Sequence, residues 1–147
     1  MRGTGYGRGH DMTQKGFDFR RMRYLINRLP MARFRLLKAR SQATRITPVL
    51  SDMPHGTEVS SPVERGYFIM EAAQNAVEQI EQELQEMRCQ LSGMMGALET
   101  PLEEAAMQMR YMDGRSVREI AYSLNYSEPH IFKVLSRAEQ KIIAAQK

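Results

Sequence analysis

Ser116-Val117-Arg118-Glu119-Ile120-Ala121-Tyr122-Ser123-Leu124-Asn125-Tyr126-Ser127-Glu128-Pro129-His130-Ile131-Phe132-Lys133-Val134-Leu135-Ser136-Arg137-Ala138 is the stretch whose reading decides the fold. Ser116 stands at an N-cap position with Glu119 three residues on, the spacing of a capping box. The short helix it opens gathers Val117, Ile120, Ala121 and Leu124 on one face. Asn125 falls where the chain must turn, and Asn tolerates the left-handed backbone that ends a helix. Ser127 offers a second N-cap, with Pro129 in the first turn that follows, where a missing N–H does no harm. The next helix spaces Ile131, Val134 or Leu135, Ala138 and Ile142 by threes and fours. Ala121 supplies the small residue that two steeply crossing helices need at closest approach. Two helices, one tight turn and one shared apolar face make a helix-turn-helix.

The opposite face of the second helix (128–145) then carries Glu128, His130, Phe132, Lys133, Ser136 and Arg137. Lys and Arg donate to guanine edges or phosphates, Ser serves either, and an aromatic ring suits a thymine methyl. Arg115, Ser116 and Arg118, with the hydroxyls of Tyr126 and Ser127, are placed to hold phosphates and set register. These eleven residues are the expected double-stranded DNA contacts. A solvated face on a plain helical bundle is the alternative that the same residues allow.

The segment from 101 to about 143 resembles region 4 of sigma-70-type sigma factors. Three pieces carry the likeness: Met109-Arg110-Tyr111-Met112-Asp113-Gly114-Arg115-Ser116, then Glu119-Ile120-Ala121 with Leu124, then Ser136-Arg137-Ala138-Glu139-Gln140-Lys141-Ile142. The resemblance implies a domain that reads promoter DNA and docks on RNA polymerase. Asn125 stands where that family usually has glycine. Glu128 and Pro129 stand where it often has basic or polar residues. Farther upstream, Ala43-Thr44-Arg45-Ile46-Thr47-Pro48-Val49-Leu50-Ser51-Asp52-Met53-Pro54-His55-Gly56, a long helix and then the sigma-like segment are similar to small phage and prophage proteins. Those proteins, from Gram-positive bacteria, are described as sigma-like or autolysin-regulator-like transcriptional regulators, and the likeness covers about residues 22–145.

The upstream half reads as two long helices. In the second, Val63, Met70, Val77, Leu84, Leu91 and Leu98 recur every seven residues, with Gly66, Ala73, Ile80, Met87 and Met94 between them. In the first, Met22, Leu29, Leu36, Ala43 and Leu50 recur likewise, with Leu25, Ala32, Ala39 and Ile46. Sustained heptads of this kind call for a partner helix. Pro30 predicts either a kink or the start of the regular helix. Turn formers between Ser51 and Pro62 let the two helices fold back antiparallel. Arg28, Arg33, Arg35 and Arg40 flank one seam and Glu81 and Glu83 the other, which favours the two as mutual partners. A seam this rich in Ala, Gly and Met is thin, so the hairpin is expected to pack on a second copy, as a homodimer, or on the C-terminal domain, with the core of one compact monomer as the alternative. The fold class is therefore all-α: a long antiparallel, coiled-coil-like helical hairpin followed by a C-terminal three-helix helix-turn-helix domain. The boundaries are a Gly-rich basic tail over 1–16, disordered for want of any apolar period, the hairpin over 17–98 with its loop at about 51–62, and the domain over 99–147.

Charge divides the chain the same way. Residues 1–45 carry +10, residues 51–104 carry −9 and residues 105–147 carry +3, within a net charge of +4. Such asymmetry favours nucleic acid or an acidic partner at the basic ends. No apolar run approaches the ~20 residues of a membrane span, and the N-terminus holds no secretory signal. The lone Cys89 fits a reducing cytoplasm, here that of a bacterial host. His10, His55 and His130 are scattered, and Glu78, Glu81, Glu83 and Glu86 point several ways round one helix. No enzyme, metal or cofactor is therefore expected. The chain lacks room for a region that melts DNA, so a complete sigma factor is not expected. Expected partners are double-stranded DNA and host RNA polymerase, with no membrane. Two other readings remain open: a small-terminase-like DNA-packaging adaptor, and a polymerase-binding protein that blocks a host sigma factor.

Overall fold

The computed structural model describes residues 16–45 and 61–146. Among them the chain is all α, with no strand: α1 (Phe19–Arg45), α2 (Pro62–Met94), α3 (Pro101–Met107), α4 (Val117–Leu124) and α5 (Glu128–Ala145). The Gly-rich tail up to residue 15, the inter-helix loop over 46–60 and the seam positions Ile46 and Leu50 lie outside the described residues, while Gly16, expected in the tail, is described and half-buried.

Helix α1 runs on through Pro30, which lies well inside it and is exposed. The regular helix therefore does not begin at the proline. Its buried side chains include Met22, Leu25, Leu29, Ala32, Leu36 and Ala39, a heptad row on one face. Ser61 opens α2 with a capping box: its hydroxyl accepts from the Glu64 N–H (3.1 Å), and the Glu64 carboxylate accepts from the Ser61 N–H (3.3 Å). On α2 the deeply buried positions are Val77, Leu84 and Leu91, again seven apart, whereas Met70, Ala73, Ile80 and Met87 are half-buried. Val63, which the heptad assigns to the seam, is 48% exposed. It sits in the first turn of α2, at a level where the described part of α1 is already ending.

Contacts divide the chain into residues 23–86 and a second unit of residues 87–146 with 16–22. This differs from a boundary at residue 99, because the last turns of α2 carry side chains that join the C-terminal core. In the first unit Arg33 bonds Glu81 across the two helices at 2.9 Å. Both side chains are largely exposed, so the pair contributes a fraction of a kcal/mol and chiefly sets register. Ala39 and Gln42 near the end of α1 line one hollow with Pro62, Arg65, Gly66 and Ile69 at the start of α2. The two helices therefore run antiparallel.

The C-terminal unit is built round α5. Ile131, Val134, Leu135, Ala138 and Ile142 on α5 are buried, as are Ala106 and Met107 of α3 and Ile120 and Ala121 of α4. Helix α3 continues into a π-helical turn, Gln108–Met112, that inserts Tyr111 into the core with no exposed surface. The Tyr111 hydroxyl donates to Glu139 (2.5 Å), and its carbonyl accepts from Arg88 Nε (3.0 Å). Phe19 packs on the same ring at 5.2 Å between centroids. Gly114, at φ 72°, then reverses the chain in a backbone region suited to glycine.

One buried charge ties α3 to α5. Glu103 is 5% exposed, and Lys141 Nζ reaches its carboxylate at 2.7 Å and that of Glu99 at 3.0 Å. The Glu99 N–H also donates to Glu103, at 3.1 Å. The hydrogen bond from Lys141 holds the Glu103 carboxyl below its usual range against the opposing effect of burial. The Glu103 hydrogen bond in turn raises Lys141.

Candidate nucleic-acid interface

Local hydrogen bonds fix the α4–turn–α5 segment at each corner. Ser116 Oγ accepts from the Glu119 N–H (3.1 Å) while the Glu119 carboxylate accepts from the Ser116 N–H (3.0 Å). Two of the orphan donors at the start of α4 are thereby satisfied. Asn125 ends the helix at φ 63°, ψ 45°, the left-handed region. The Tyr126 N–H closes the turn onto the Ala121 carbonyl at 3.0 Å. Ser127 caps α5 by accepting from the His130 N–H at 3.2 Å. Above that cap the Tyr126 and His130 rings stack, 4.8 Å between centroids and 23° apart.

The residues expected to contact DNA fall into two groups. On the outward face of α5, Glu128, Phe132, Lys133, Ser136 and Arg137 are all exposed, Phe132 by 59%. Lys133 and Arg137 stand one turn apart, so two cations and a hydroxyl follow one edge of the helix. Glu128 occupies the first turn, where the helix dipole favours an anion, and its carboxylate suits a cytosine amino group. His130 is half-buried and stacked against Tyr126. The oxygens of Ser116 and Ser127 accept cap bonds yet keep their protons for donation outward.

The second group lies on α4 and in the turn that leads into it. Arg115 and Arg118 line an open hollow of about 610 Å³ with Asp113, Gly114, Glu119, Tyr122 and Ser123. Arg115 Nη1 donates to Ser123 Oγ at 3.3 Å, and the Arg115 carbonyl accepts from Arg110 at 3.0 Å. Tyr122, 87% exposed, was not among the expected DNA contacts. The only signal for it in the sequence is its place four residues after Arg118, on the same face. Among the described residues no cluster of three His, Cys, Asp or Glu side chains is arranged to hold a metal ion. No described helix is long and apolar enough to cross a membrane.

A family model described as protein of unknown function (DUF1492) matches residues 62–142, more than half of the chain. The chain belongs to the DUF1492 family. No curated protein and no solved structure matches it. The DUF1492 match opens on the first residue of α2 and closes on Ile142, the last buried side chain of α5. It therefore takes in both groups of candidate residues and leaves out α1.

Proposed function

We propose that this DUF1492 protein is a sequence-specific, sigma-like transcriptional regulator of phage or prophage type. In this reading α5 enters the major groove of promoter DNA, in the bacterial cytoplasm and beside host RNA polymerase. The observation that carries it is the division of α5 into two faces. Five side chains are buried, and the remaining edge presents Phe132, Lys133, Ser136 and Arg137 from a helix start pinned by Ser127. Arg115 and Arg118 supply phosphate donors one helix away. Self-association through the hairpin belongs to the same reading, since helix-turn-helix dimers read paired half-sites.

A second reading is favoured by the α4 hollow. An aromatic ring as exposed as Tyr122, set among Arg115, Arg118 and Asp113, equally suits a protein surface such as that of polymerase. The chain would then occupy polymerase without reading DNA.

The test is selection from fragmented phage and host DNA at near-physiological salt, with the enriched fragments sequenced. A discrete motif is expected, and Lys133→Ala with Arg137→Ala should weaken binding to it by about 1–3 kcal/mol for each base interaction removed. Weak retention at low salt does not count, because phosphate binding by any basic protein is steeply salt-dependent. No enrichment, or a double variant that binds as the wild type does, removes the groove-reading role and leaves polymerase as the partner.

A further inference from the structure

The side of α1 that faces away from its buried row carries apolar side chains and cations together. Phe34, 64% exposed, stands opposite Leu29, Ala32 and Leu36. Met31 (55% exposed) lies one turn before it and Leu37 (64%) one turn after, so three large apolar side chains share about two turns of helix in water. Arg35 follows Met31 by four residues and Lys38 follows Phe34 by four, which interleaves two cations with the apolar groups. Both cations are exposed, and neither makes a hydrogen bond or ion pair among the described residues. Arg33, on the flank nearer α2, is instead taken up by Glu81. An amphipathic helix with one partner needs one apolar stripe, and α1 has two.

The mixture on this one face, more than the charge of the whole helix, identifies the occupant. A duplex phosphate backbone would engage Arg35 and Lys38 but offer nothing to Met31, Phe34 and Leu37. A plain apolar surface would bury those three and strip water from two unpaired cations, which is costly. An acidic amphipathic helix answers both needs, with apolar side chains along Met31 and Phe34 and carboxylates on its flanks at Arg35 and Lys38. Asn27, Met31, Phe34 and Lys38, all exposed, are spaced by four, three and four, the repeat against which a second helix packs. Helix α1 has no acid anywhere to repel such a partner. The α2 helix of a second copy is acidic, but its apolar row, with Val77 and Leu84, is already buried in its own hairpin. A second copy therefore does not supply the helix.

We infer that the outward face of α1, centred on Phe34, is a docking site for an acidic amphipathic helix of a partner protein. The site lies outside residues 62–142 of the family match. It goes beyond the regulator reading and requires neither DNA reading nor self-association.

The test uses a fluorescent synthetic helix with leucine at heptad positions a and d and glutamate at e and g, titrated with the full-length chain and followed by anisotropy. A second probe carries glutamine at e and g. The acidic probe should bind, and the glutamine probe should bind at least about tenfold more weakly. Phe34→Ser should weaken the acidic probe at least about tenfold with helical circular dichroism unchanged. Phe34 is off the seam, so a probe that merely displaced α2 would be indifferent to it. If Phe34→Ser loses helicity, Met31→Ser takes its place. Arg35→Gln with Lys38→Gln should bring the acidic probe down to the affinity of the glutamine probe and leave the latter unchanged. An acidic probe that does not bind, equal binding of the two probes, or a Phe34→Ser variant that binds as the wild type does overturns the site. Loss of affinity for a random-sequence DNA duplex in Phe34→Ser, with the acidic probe unaffected, would assign the face to nucleic acid instead. The Lys133/Arg137 variant should bind the acidic probe as the wild type does, so failure of the DNA reading leaves these outcomes unchanged.

Discussion

Helix α5 buries five side chains and leaves one large apolar residue, Phe132, in water. Helix α1 buries a comparable row and still leaves Met31, Phe34 and Leu37 outside. The difference lies in their neighbours. Helix α5 has α3 and α4 from its own chain to cover its apolar stripe, and its remaining face is polar enough to stay wet. Helix α1 has α2 as its partner over the described length of its unit, and a single neighbour cannot cover two stripes. Burial in the C-terminal unit is therefore finished within the chain, while burial in the hairpin calls for something more.

The strongest test of that contrast removes one side chain from each helix. Ile131 has no exposed surface, so Ile131→Ala should destabilise the chain by about 2–5 kcal/mol through lost burial and a residual cavity. Phe34→Ala, measured where the chain is monomeric, should stay within about 0.5 kcal/mol. Denaturant midpoints decide it, and comparable losses would mean that α1 already has its full set of partners within one chain.

Next in size is the buried charge. Glu103→Gln keeps the shape and removes the ion pair with Lys141, so the melting temperature should fall by several degrees near neutral pH. In the wild type the carboxyl is held below its usual range. Its contribution is thus full above the ordinary glutamate value and drains away as pH falls through the lower folded value. Lys141, held high, contributes fully below the ordinary lysine value and loses its share as pH rises through the higher one. The Gln variant should flatten the acid limb of a melting profile. An unchanged limb would show that other carboxylates govern it.

The smallest effect sharpens the comparison inside the C-terminal unit. Asn125→Ala at φ 63° should destabilise by about 1–2 kcal/mol, because a β-carbon crowds the carbonyl there without the local hydrogen bonds of Asn. Asn125→Gly should be close to neutral. Thermal melts of both separate backbone strain from the removal of the Asn side chain.

The all-α class was legible because apolar spacing reports helices directly. The α1 seam from Met22 to Ala39 is buried as its heptads predict, and the Ser116 and Ser127 caps form as their spacing predicts. Other features were not legible, each for a physical reason. Pro30 sits on the exposed side of α1, where the helix tolerates it, and periodicity does not weigh a proline against the packing on either side. Val63 fits the heptad but stands level with the end of the described part of α1, which periodicity does not mark. The Glu103–Lys141 pair joins residues 38 apart, and the π turn that buries Tyr111 has no periodic signature. Tyr122 leaves only its spacing from Arg118 in the sequence, because an exposed aromatic breaks no apolar pattern.

The turn between α4 and α5 contains no glycine, and each of its residues is already engaged. Asn125 sits in its left-handed well, Tyr126 is closed onto Ala121 and stacked on His130, and Ser127 clamps the first turn of α5. Little backbone freedom is left to lose when the outward face of α5 meets a partner. Recognition by a face set in advance surrenders little conformational entropy. Its calorimetric signature is a modest heat-capacity change, set by contact area alone, without the large term of a segment that folds as it binds.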